Sequence, residues 1–182
     1  MAMSAIKIFA MQIIRLIKNA KMNVKDIFEY DESIGPSCLK WKAKIAKQVM
    51  IGSMAGSIDD KGYWKVGFLK QSKFAHHVIW FLHNGYWPKK NIDHIDGNPA
   101  NNAIKNLREA SHLQNNQNRR LDKRSTSNAK NVCWCERDKK WRVIISFNCK
   151  RLSFGSYKDL ELAKLVSIEA REKYHGKFAR HA

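Results

Sequence analysis

No two cysteines in this chain form a Cys-x-x-Cys pair, so the commonest frame for a structural zinc site is missing. The four present, Cys38, Cys133, Cys135 and Cys149, read as reduced thiols of a cytoplasmic protein. Long apolar runs are also missing. The most apolar N-terminal stretch is broken at Gln12 and Arg15 and falls short of the ~20 residues that a membrane span needs. It lacks a small-residue cleavage site, so neither a transmembrane segment nor a signal peptide is expected. Acid is in short supply, with 16 Asp and Glu against 34 Lys and Arg, a formal charge of +18. That excess calls for a polyanionic partner, with nucleic acid first and an anionic membrane surface second. No dimerisation seam is visible, so a monomer is the expectation.

What is present divides the chain into segments. Residues 1–21 place Ile6, Phe9, Ile13, Ile14, Leu16 and Ile17 at roughly helical spacing, with Lys7, Arg15 and Lys18 between them, as in an amphipathic extension. From 22 to 75, short apolar pieces alternate with turn residues. CLKWKAKIA and YWKVGFL read as strands, and Gly35-Pro36, Gly52, Gly56 and Asp59 to Gly62 read as turns. His76 to Gly85, HHVIWFLHNG, has helical spacing at Val78, Ile79, Phe81 and Leu82 and a stop at Asn84-Gly85. Its histidines read as packing groups or as supports behind a site rather than as ligands, because His76 and His83 lie seven apart.

The next stretch, NIDHIDGNPANNAIKNLREASHLQNNQNRR from Asn91 to Arg120, sets an acidic residue and a histidine side by side at Asp93 and His94. A divalent cation and a general base could act there on one phosphate. Ile92 to Ile95 reads as a strand, Asp96-Gly97-Asn98-Pro99 as a turn and Asn106 to Ala110 as the returning strand. Ser111 then caps a helix over His112 to Lys123. A calcium loop starting at Asp93 is excluded, because the positions needing oxygen ligands hold Ile95 and Ile104.

From Ala75 to Arg120 the order AHH, IDHIDGN, NN, NLR and an Asn-rich helix resembles the HNH endonucleases of homing and phage type. The resemblance implies an α+β fold built on a ββα-metal core, with two strands and a helix gripping one divalent cation. It implies that Asp93 is a metal ligand, that His94 activates water, that Asn106 braces the loop, and that Asn115 is the second metal ligand. His112 and Asn116 remain alternatives for that last place, since they lie within one turn of Asn115. A hard ion suits so sparse an oxygen set, Mg²⁺ first and Mn²⁺ second. Arg119, Arg120 and Arg124 are expected to clamp flanking phosphates.

Lys123 to Asn128, KRSTSN, reads as a linker, which makes 76–122 the nuclease domain and 129–182 a further domain. Beyond it Val132 and Trp134 alternate with Cys133 and Cys135, Trp141, Val143, Ile145 and Phe147 with polar neighbours, and Leu152 and Phe154 with Arg151 and Ser153. Three antiparallel strands are expected, covered by a helix over Leu160 to Tyr174. From about Ser127 to Arg180 this half resembles the AP2 DNA-binding domain. The resemblance implies a sheet laid in the major groove with Cys133, Cys135, Arg137, Arg142, Ser146 and Arg151 on its polar face. Asn131 at the usual glycine position, and cysteines where basic readers would help, imply weak base-specific readout.

The reading is a divalent-metal-dependent endonuclease acting on double-stranded DNA, without a small-molecule cofactor or membrane. The alternative is a catalytically inactive DNA-binding protein that uses the AP2-like half.

Overall fold

A computed structural model describes residues 23–68, 71–122 and 124–180. The helix expected over residues 1–21 lies outside them. The chain divides into two compact units, one up to Glu109 and one from Ala110 onward.

The first unit opens with a single turn, α1 (Val24–Ile27), closed by a capping box in which Asn23 and Asp26 serve each other's backbone. β1 (Phe28–Tyr30) pairs antiparallel with β2 (Leu39–Trp41). β3 (Ser57–Ile58), β4 (Trp64–Phe68) and β5 (Gln71–Phe74) form a second antiparallel sheet in that order. The chain passes straight into α2 (Ala75–Asn84), which stops where Gly85 takes the left-handed conformation and donates its N–H to Phe81 O. β6 (Asn91–His94) then pairs with β7 (Leu107–Ala110).

One core joins all these pieces. Ile27, Phe28, Leu39 and Val66 from the small sheets meet Val78 and Ile79 of α2, with Ile92 of β6 and Leu107 of β7. Each fully buried aliphatic side chain contributes about 1.5–3 kcal/mol. The N-terminal sheets and the strand carrying Asp93 and His94 are therefore stabilised together.

In the second unit Ser111 caps α3 (His112–Gln117): its Oγ accepts from Gln114 N, and Gln114 Oε1 accepts from Ser111 N. The helix ends at Gln117 instead of running to Lys123 as expected. Its Asn-rich sequence offers side chains that compete for backbone bonds, and Leu113 is exposed, so little apolar surface is gained by extending it. Three antiparallel strands follow in the order β10-β9-β8, with β8 (Val132–Cys135), β9 (Lys140–Phe147) and β10 (Lys150–Tyr157). The register sets Val132 opposite Val143 and Leu152 opposite Ile145. α4 (Leu160–His175), capped by Asp159, packs Ala163 against Val132 and Val143. Trp134, expected on the covered face, is 41% exposed on the edge strand, with its ring edge-on to Trp141.

Candidate active site

Asp93 and His94 are adjacent on β6, and each is only 5% exposed. A tight turn follows, in which Gly97 N donates to His94 O at 2.8 Å and Gly97 holds φ at 63°. Glycine adopts that left-handed backbone at no steric cost, which suits the Asp-Gly pair here. The loop beyond is tied to Asn106, at the end of a 3-10 turn (Ile104–Asn106). Asn106 Nδ2 donates to Asp96 Oδ1 (2.9 Å) and Asn101 O (2.8 Å), its Oδ1 accepts from Asp96 N (3.0 Å), and its carbonyl accepts from Ile95 N. Burial would raise the pKa of Asp96, but bonds from Asn98 N, Asn101 and Asn106 outweigh it and hold the carboxyl below its usual value.

His94 Nε2 lies 3.3 Å from Oδ1 of Asn102, which is fully buried. The ring also stands edge-on to His76 (5.1 Å) and tilted against Tyr63 (6.1 Å). Burial pushes the His94 pKa below its ordinary value, opposed by the bond to Asn102 and by the carboxylates of Asp96 and Asp93. His76 is pushed down to about 3 by burial, with His77 and His94 adding to the effect. Neutral imidazoles therefore face one another here at pH 7. Arg108 Nε and Nη2 both donate to Asp93 Oδ2 at 2.8 Å, an ion pair almost sealed from solvent.

Residues 73–117 match the family model described as HNH endonuclease. Protein 3.8 of Escherichia phage T7 is 38% identical over 106 residues, which cover 58% of this chain and 87% of that protein. The chain belongs to the Protein 3.8 family and carries an HNH endonuclease domain. No solved structure matches it. The matched HNH span contains Asp93, His94, Asn102, Asn106 and Arg108, so the buried polar cluster lies inside it.

Asn115 lies on α3 in the second unit, and the two alternatives for its role, His112 and Asn116, are bonded to each other at 3.2 Å. HNH nucleases generally use a divalent metal, and the donor set suits a hard ion. Asp93 offers a carboxylate for it. Among the described residues no group of three or more His, Cys, Asp or Glu side chains is placed to hold a metal ion, so an ion held by Asp93 would complete its shell with amide and water oxygens.

Arg119, Arg120 and Arg151 line one groove of about 1190 Å³ in the second unit, together with Lys130 and His175. Burial, then Arg171 and Arg180, push the Lys130 amine down to about 8. The other expected phosphate contacts are engaged within the protein: Arg124 pairs with Asp122, and Arg137 and Arg142 share Asp138. Arg119, Arg120 and Arg124 stand beyond the end of α3 rather than on a helical face. Cys133 and Arg142 are cross-strand partners, as are Ser146 and Arg151. None of the helices among the described residues is long and apolar enough to cross a membrane.

The sequence reading assigned no role to Asn102 or Arg108. Both stand inside motifs that it singled out, NN and NLR, so the signal was in view, but nothing local says which side chain each would meet. It also missed the support from the N-terminal sheets. Tyr30 Oη accepts from Ile104 N at 2.8 Å and donates to Glu32, and Pro36 O accepts from Asn102. Burial, then the bond to Glu32, push Tyr30 up to about 12.

Proposed function

We propose that this protein is a divalent-metal-dependent HNH endonuclease of phage or homing type that hydrolyses phosphodiester bonds of double-stranded DNA. One observation carries the reading: a buried histidine adjoins a buried carboxylate on one strand of the segment that matches the HNH endonuclease model. Hydrolysis needs an activated water, neutralisation of charge growing on the phosphate, and help for the departing oxygen. His94 takes a proton from water, the water oxygen bonds to phosphorus, and the bond to the departing oxygen breaks. Asp93 would hold a hard cation, Mg²⁺ or in its place Mn²⁺, which when bound would neutralise charge at the phosphate and the departing oxygen. Arg108 orients the Asp93 carboxylate through Oδ2, and Asn106 keeps the loop after His94 closed.

A strand–turn–strand followed by a capped helix supports a ββα-metal arrangement. A three-stranded sheet with one face covered by α4 supports an AP2-like role for residues 129–182, with Cys133, Arg142, Ser146 and Arg151 toward DNA. Arg119, Arg120 and Arg151 grip phosphates and contribute affinity rather than sequence choice.

His94→Ala should lower Mg²⁺-dependent cleavage of plasmid DNA on the order of 10³-fold while leaving gel-shift affinity nearly intact, because the base does not hold the duplex. Equal cleavage by the two proteins would overturn the assignment.

A further inference from the structure

The amide of Asn102 has only one orientation compatible with its neighbours. Its Nδ2 lies 3.1 Å from Pro36 O and 3.4 Å from Ala100 O, and carbonyl oxygens can only accept. The nitrogen must therefore be the atom facing them, and Oδ1 the atom 3.3 Å from His94 Nε2. An amide oxygen cannot donate, so the bond exists only if Nε2 carries the proton. In a neutral ring that leaves the basic lone pair on Nδ1. The carbonyl of Pro36 is itself set by a turn in which Cys38 N donates to Gly35 O. The orientation is thus relayed from the N-terminal sheets to the histidine.

We propose that Asn102 is a positioning residue that fixes His94 as the Nε2–H tautomer and presents Nδ1 as the nitrogen that takes the proton from water. This rests on His94 being the general base, but its test does not. With both partners buried, water cannot substitute for Asn102, and a polar hydrogen left unpaired there is costly. In the neutral ring the wrong tautomer would place a proton where a lone pair is needed.

Imidazole nitrogen shifts and two-bond proton–nitrogen correlations of ¹⁵N-labelled full-length protein, recorded at a pH where His94 is neutral and assigned with His94→Ala, report the tautomer directly. Wild type should show a protonated Nε2 and an unprotonated Nδ1. A protonated Nδ1 in wild type would overturn the proposal without any variant. Asn102→Leu should shift the ring toward the other tautomer and lower kcat on the order of 10²-fold with KM little changed. Asn102→Asp, which keeps an acceptor, should retain the Nε2–H form and recover part of kcat. An unaltered tautomer in a folded Asn102→Leu protein would also overturn the proposal. If the tautomer responds to Asn102 while His94→Ala still cuts DNA, the positional role stands and the base assignment falls. If the tautomer ignores Asn102 while His94→Ala is inactive, the reverse holds.

Discussion

The loop after His94 and the C-terminal sheet carry their polar side chains in opposite ways. In the loop, Asn102 and Asn106 are buried and spend their hydrogen bonds on backbone groups, on Asp96 and on His94. On the sheet, Arg142 and Arg151 stand toward solvent, and Arg142 pairs with the acidic Asp138 close by. On the function proposed above, the difference follows from what each region would have to do. A group that moves a proton must be held in one place, which takes buried partners that water cannot replace. A surface that grips phosphates must remain accessible, and its cations gain most by releasing counterions on contact.

The largest effect that would break this contrast is expected at Asn106. Asn106→Ala removes two donations and one acceptance made by a buried side chain to the loop, so urea unfolding should show a loss of about 3 kcal/mol, with cleavage lost in parallel. An unchanged midpoint would mean that the loop holds its shape without Asn106. A smaller effect follows from His76. Its pKa of about 3 in the folded protein lies below the ordinary value of 6.5, so the unfolded chain binds the extra proton. Stability is then fully present above about pH 6.5 and is lost as pH falls toward 3, on the order of 2 kcal/mol between pH 7 and 5. His77, His94 and His175 are shifted in the same direction. His76→Phe should therefore flatten the acid side of the unfolding curve without abolishing its slope, and an unaltered slope would count against a neutral buried His76. The smallest expected effect is at Arg151. Arg151→Ala should leave stability within about 0.5 kcal/mol and reduce the slope of log affinity against log salt by about one. A large loss of stability instead would make the sheet resemble the loop and erase the contrast.

Much of the local architecture was legible in the residues. The Asp96-Gly97 turn, the cap at Ser111 and the alternation from Val132 to Phe154 are each written within a few positions, because turns, caps and strands answer to nearest neighbours. The end of α3 was misjudged for a related reason: polar residues do not extend a helix that has no apolar face to bury. The adjacency of Asp93 and His94 was equally plain. Their surroundings were not.

By itself, then, the sequence determined most elements from Ala75 onward, their order and the types of side chain offered for chemistry, since these depend on local propensity and spacing. Between 22 and 75 it showed only two of the five strands. Only the tertiary structure decided that Arg108 meets Asp93, that His76 stands against His94, and that Asn102 reaches both His94 and a carbonyl 66 residues away. Such contacts depend on the path of the whole chain around one core, and no short stretch of residues encodes that path.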